Sequence, residues 1–143
     1  MQHAIRRMSK KHGGTGGSIV LLSSVAADIG GPNEYVWYAA SKGAVESITY
    51  GLSKELAGDG IRVNCVNPER TATPMRTKAF GQEPAGSLLS SEVVARTSLD
   101  VLLSELTGHV IDVRQQDPTA AAGKASGFEQ ALASVLDRQD GVA

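Results

Sequence analysis

Long apolar runs are missing from this 143-residue chain, and so is any marked excess of charge. No stretch approaches the ~20 apolar residues that a bilayer-crossing helix needs. Lysine and arginine together number 14 against 15 for aspartate and glutamate, a formal net charge of −1. That balance gives no electrostatic case for nucleic acid or an anionic membrane as partner. Cysteine occurs once, as Cys65 in the apolar run IRVNCVNP, the pattern of a buried structural thiol in a reducing compartment. Arg6, Arg7, Lys10 and Lys11 ahead of IVLLSSVAA imitate a secretion signal, but the intervening GGTGG and the shortness of the apolar run argue against one. A soluble, cytoplasmic chain is expected. A glycine loop in the right place is also missing. A phosphate-binding loop must follow a strand and open a helix, so that helix amides face the phosphates. The GGTGG at 13–17 precedes a strand instead and reads as a connector.

What is present centres on residues 24–42, SVAADIGGPNEYVWYAASK. Tyr38 and Lys42 stand four apart, which on a helix puts them on one face with Cβ atoms ~5–6 Å apart. Free phenols ionise near ~10, too high for easy proton exchange at neutral pH. An ammonium about 5 Å away favours a phenolate by at most ~3 kcal/mol at an effective dielectric of ~20. The couple suits proton donation to a carbonyl that is becoming an alkoxide, with Ser24 as a second hydrogen-bonding group. Tyr50 and Lys54 have the same spacing, ~18 Å of helix farther on. No strand-ending serine precedes them at a comparable distance, so they read as a helix-surface pair.

Apolar periodicity divides the rest. Residues 1–12 read as the end of an amphipathic helix with Ala4, Ile5 and Met8 on one side. Residues 18–24, 61–66 and 109–113 read as strands buried on both faces. A helix is expected over 33–57, with Asn33 as N-cap and Val45, Ile48, Leu52 and Leu56 as its apolar stripe. Beside that stripe Ala40, Ala44, Ser47 and Gly51 form a small-residue face suited to close helix contact, within the chain or with another subunit. The stretch NPERTATPMRTKAFGQEP reads as irregular and cationic. Residues 88–106 read as a helix capped by Ser90 or Ser91, with Val93, Val94, Leu99, Leu102 and Leu103 as core. From 114 to 143 a loose polar tail is expected, with one short helix around Phe128, Leu132, Val135 and Leu136.

Strands alternating with helices imply an α/β fold with a short parallel sheet of three strands and flanking helices, a partial Rossmann-like three-layer arrangement. Over residues 1–113 the chain resembles the C-terminal, catalytic half of a short-chain dehydrogenase/reductase. The motifs IVLLSSVAA, YAASKGAVESIT, GIRVNCVNP, TPM and TGHVIDV carry the likeness together. The resemblance implies an NAD(P)-dependent oxidoreductase, with NAD or NADP as cofactor and a small carbonyl or alcohol as substrate. It implies Ser24 as the group orienting the carbonyl and Tyr38 as acid/base. It gives Lys42 the task of assisting Tyr38 and holding the nicotinamide ribose. Pro68 and Thr73 map to the segment beside the nicotinamide, and Glu69 stands where the family usually has glycine. Residues 67–113 resemble the reductase part of bifunctional cytidylyltransferase/ribulose-phosphate reductases. That implies a sugar phosphate such as ribulose 5-phosphate, met by Arg70, Arg76 and Lys78; a solvated basic loop is the plainer reading of the same cations.

The family's glycine loop, and the asparagine of its preceding helix, have no match here. A truncated enzyme, inactive in isolation, is therefore expected, with the strand at 18–24 left with an uncovered apolar edge. The alternative is a non-catalytic fragment or interaction module that self-associates through the helix at 33–57 or through that edge.

Overall fold

In the computed structural model, which describes residues 1–115, the run IRVNCVNP is the central strand β2 (Ile61–Pro68) of a three-stranded sheet. β1 (Gly17–Leu22) and β3 (Val110–Val113) flank it in the order β1-β2-β3, and both pairs are parallel. Leu22 lies opposite Val66, and Pro68 opposite Val113. The expected parallel α/β sheet is thus what forms. β1 and β2 each lead into helices that carry the chain back to the start of the next strand, the connection a parallel pair requires. The expectations for 116–143, including the helix around Phe128, fall outside the described residues.

Five α-helices, α1 (Gln2–Met8), α2 (Ala26–Ile29), α3 (Val36–Glu55), α4 (Pro74–Phe80) and α5 (Ser91–Leu103), and two short 3-10 turns at Lys10–His12 and Ala57–Asp59 complete the described fold. Residues of β2 alternate between two faces, which is why its burial is nearly continuous. On one face Ile61 and Val63 pack with Leu56, Leu52, Ile5 and Met8. On the other, Val66, Ile111 and Val113 pack with Leu89, Val94 and Val101 of the segment around α5. Full burial of each such side chain stabilises by about 1.5–3 kcal/mol. Two buried asparagines fix connections. Asn64 Nδ2 donates to the Leu106 carbonyl at 2.6 Å while its Oδ1 accepts from the His109 amide at 3.2 Å, tying β2 to the turn before β3.

Several expectations are corrected. Asn33 does not cap α3; it sits at φ 64° in a turn, and the helix begins three residues later with no side-chain cap. The buried face of α3 is Ala39, Thr49 and Ser53, whereas Ile48 of the expected stripe is 46% exposed. Small residues let the helix lie close on β2, and the two hydroxyls are satisfied by carbonyls of the same helix. Ala40, Ala44, Ser47 and Gly51 are exposed, so no described element covers that face. In α5, Val94 and Val101 are buried, but Val93, Leu99, Leu102 and Leu103 are exposed. Ser90 is its cap, accepting from the Val93 amide at 3.3 Å. Leu99 and Leu102 line, with Val20 and Leu22, a groove of about 490 Å³ along the unpaired side of β1. The uncovered apolar edge is therefore present among the described residues.

Cys65 is fully buried, and that burial pushes its thiol from an ordinary value near 9.0 to about 11. Thiolate is the reactive form. Alkylation of native protein at neutral pH is expected to be ~10²-fold or more slower than in urea, where local and global opening expose the thiol. Comparable rates would contradict the burial. Because the unfolded thiol ionises first, stability is expected to fall as pH rises from about 9 towards about 11.

Candidate active site

Ser24 lies two residues past the end of β1, at the carboxyl end of the sheet. The ladder continues past the strand: the Ser23 amide donates to the Val66 carbonyl at 2.8 Å and the Val25 amide to the Pro68 carbonyl at 3.1 Å. Ser24 is thereby held beside Pro68, and its Oγ accepts from the Ala26 amide at 3.3 Å. Ser23 is buried; its Oγ donates to Glu46 Oε1 at 2.8 Å and to the Lys42 carbonyl at 3.3 Å, anchoring α3 to the end of β1. The sequence reading missed this serine because its neighbour carried the family pattern.

Tyr38 lies in the first turn of α3 and Lys42 one turn on. Lys42 Nζ donates to the Leu22 carbonyl at 2.9 Å and lies 5.5 Å from the centre of the Tyr38 ring. The last carbonyl of β1 thus fixes the ammonium, and the ammonium faces the phenol. Ser24, Tyr38, Lys42 and Pro68 are accordingly brought to one edge of the sheet. Tyr38 is flanked edge-on by Tyr35 at 6.3 Å and by Trp37 at 6.2 Å between centroids. Gly31, at φ 53°, passes so close to the Tyr35 ring that any β-carbon there would collide with it. Tyr50, by contrast, is 47% exposed well along the helix.

Thr73 caps α4, its Oγ1 accepting from the Arg76 amide at 3.2 Å. It lines a cleft of about 650 Å³ with Pro74, Thr77, Lys78 and Glu83. α4 was expected as irregular chain; Thr73 followed by Pro74 is the cap-and-first-turn signal that identifies it. Arg76, one of three cations expected to meet a phosphate, is already committed. Its Nε and Nη2 donate to Glu83 Oε2 and Oε1 at 2.7 and 2.8 Å. That fork raises the Arg76 guanidinium further and holds the Glu83 carboxyl below its ordinary range. Arg70 and Lys78 are exposed. Glu69 occupies its position without a left-handed backbone; its amide donates to the Val113 carbonyl and its Oε2 accepts from the Gln115 amide.

A second polar cluster, not foreseen, braces the same edge. Asn67 is buried, and its Nδ2 donates to Asp28 Oδ2 at 3.0 Å and Asp112 Oδ1 at 2.9 Å. Arg114 Nη2 meets both carboxylates at 3.1 Å. The turn after Ser24 is thus tied to β2 and β3 by residues that sequence spacing does not connect.

A parallel α/β sheet with its polar side chains gathered at the carboxyl edge is a Rossmann-like domain, the class that binds ligands at that edge. A family model described as enoyl-(acyl carrier protein) reductase matches residues 1–105. The chain is 50% identical over 103 residues to the bifunctional ribulose 5-phosphate reductase/CDP-ribitol pyrophosphorylase of Haemophilus influenzae, covering 72% of this chain and 22% of that protein. It is 55% identical over 83 residues to an oxidoreductase of Escherichia coli, covering 58% of this chain and 33% of the relative. The crystal structure of a 3-ketoacyl-(acyl-carrier-protein) reductase from Brucella melitensis, complexed with NADH, superposes with a TM-score of 0.67 at 31% identity, over 79% of this chain and 50% of that one. The chain belongs to the short-chain dehydrogenase/reductase family, and it spans a third or less of the length of these two curated relatives.

Proposed function

We propose that the chain carries the proton-delivering part of an NAD(P)-dependent carbonyl reduction. The observation that bears most of this reading is Lys42, held by the Leu22 carbonyl two residues before Ser24 and facing the Tyr38 ring. In this reading the Ser24 hydroxyl turns from the Ala26 amide to donate to the substrate carbonyl oxygen. The Tyr38 hydroxyl gives that oxygen its proton as it becomes an alcohol. Lys42 places positive charge where negative charge develops on the ring. The residues present fit the nicotinamide end of a dinucleotide, with Lys42 for the ribose and Pro68 at the strand end; no glycine loop follows a described strand to take the diphosphate. When bound, the reduced nicotinamide supplies the hydride. A buried lone thiol fits a cytoplasmic setting, and among the described residues no helix is long and apolar enough to cross a membrane.

A sugar phosphate such as ribulose 5-phosphate is the substrate we favour, on the 50% identity over 103 residues to the Haemophilus protein and on the two exposed cations Arg70 and Lys78. In a polypeptide where this chain follows a glycine-loop unit, replacing both by alanine is expected to raise KM for ribulose 5-phosphate ~10- to 100-fold and leave kcat nearly unchanged. An unchanged KM would remove the sugar-phosphate reading while leaving the reductase intact.

The second reading is an interaction module. Its support is the exposed outer face of α3, with Val36 at 58% and Trp37 at 76%, continuing through Ala40, Ala44 and Ile48. We place a homo-oligomer contact there, and it is compatible with catalysis.

A further inference from the structure

An apolar groove of about 490 Å³ runs between the unpaired side of β1 and α5. Val20, Leu22, Ala95, Leu99 and Leu102 line it, and Leu22 and Leu99 are 51% and 57% exposed. As an edge strand, β1 also presents outward-facing amides and carbonyls, a template for unwanted pairing that proteins commonly cover with a helix or loop. Among the described residues nothing covers it. The rest of the chain's own sequence has what such a cover needs. Phe128, Ala131, Leu132, Val135 and Leu136 recur at i, i+3, i+4, i+7 and i+8, one face of a helix, with Gln130, Ser134 and Asp137 falling on the other. Ser126 followed by Glu129 is the capping pair that starts such a helix. A helix of that length is marginal in water alone and depends on an apolar surface to pack against.

Position and reach point to this groove. The Gln115 side-chain amide donates to the Gly86 carbonyl, five residues before α5 begins, so the chain leaves the described structure beside the segment that leads into α5. Leu22 pairs with Val66, and Val113 with Pro68, which puts Val113 two strand spacings and two residues from Leu22, about 12 Å. Residues 116–125 carry no large apolar side chain, and a coil of ten residues spans ~17 Å on average. We propose that residues 126–138 form an amphipathic helix that lies in the groove between β1 and α5 of the same chain and covers the open edge of the sheet. Nothing in this docking depends on the role read for Tyr38.

Photo-cross-linking in the full 143-residue chain, at low micromolar concentration, tests the docking. A benzophenone side chain in place of Leu132 is expected to give adducts within one chain, mapped by mass spectrometry to Leu22, Leu99 or Leu102. The same probe in place of Ser134, on the polar side, is expected to give ~10-fold fewer. Adducts mainly at Trp37 on the outer face of α3, adducts only in covalent dimers, or no adducts would each overturn the docking; the second result assigns the groove to another copy of the chain. Hydrogen exchange supplies the complementary measurement. Leu132→Asp together with Leu136→Asp is expected to speed exchange ~10-fold over residues 18–22 and 95–103, and to leave the central strand at 61–66 unchanged. No change over 18–22 would overturn the docking, and so would an equal rise at 61–66, which reports general loosening.

Discussion

Phenylalanine in place of Tyr38 is expected to lower the turnover of carbonyl reduction ~10²- to 10⁴-fold, the range of a positioned general acid. The ring itself is retained, so its edge contacts with Tyr35 and Trp37 and its position opposite Lys42 survive the change. Only the proton is removed. The deficit should therefore appear equally in kcat and kcat/KM, with cofactor affinity changed no more than ~2-fold, as expected when an interaction exists only in the transition state. Steady-state kinetics in the polypeptide carrying a glycine-loop unit, together with a separate NADPH titration, gives both quantities. A loss below ~3-fold would remove Tyr38 from the acid's role.

On its own, the 143-residue chain is expected to bind NADPH in the millimolar range or weaker, and to show no measurable turnover. Diphosphate is normally held by amides at a helix N-terminus that follows a strand and a glycine loop. After β1 the chain enters α2, four residues long, through Ser24 and Val25; after β2 it enters α4, seven residues long and capped by Thr73. Neither entry has the glycines that let a backbone approach a diphosphate. In the proposed reading Lys42 and Pro68 would meet only the nicotinamide end. Losing ~4 kcal/mol of contacts is about a thousandfold in affinity. Fluorescence titration with NADPH, alongside light scattering for mass, reads this directly, and micromolar affinity in a monomer would contradict it.

How far the sequence alone reaches depends on the kind of signal. The three strands were legible because each is a short apolar run, and parallel pairing followed from the helical spans between them. The burial on both faces expected of all three holds only for the central β2, since β1 lies at the sheet edge with no fully buried residue. Tyr38 and Lys42 were legible as one face because helix geometry fixes i and i+4. The buried face of α3 was not, since Ala39, Thr49 and Ser53 are small or polar and carry no periodic apolar signal. Their use depends on how close the helix lies to β2, a tertiary fact. Leu99, Leu102 and Leu103 misled for the opposite reason: apolar spacing marks a face without saying whether anything covers it. The anchor of Lys42 on the Leu22 carbonyl and the Arg76–Glu83 fork were both invisible. One partner is a backbone atom 20 residues away, and the other lies seven residues on, beyond the end of α4. Short-range spacing rules speak to neither.

The central claim is that Tyr38, set by Lys42 at the carboxyl edge of the sheet, hands a proton to a carbonyl that receives hydride from a reduced nicotinamide. Its most direct test follows deuterium from [4-²H]NADPH into the product, using ribulose 5-phosphate and a 3-ketoacyl thioester as carbonyls, in the polypeptide where this chain follows a glycine-loop unit. The account predicts one deuterium at the former carbonyl carbon, with product nearly abolished in Tyr38→Phe and preserved in Tyr50→Phe. Deuterated product formed equally well by both variants would contradict it, as would the absence of transfer to either carbonyl.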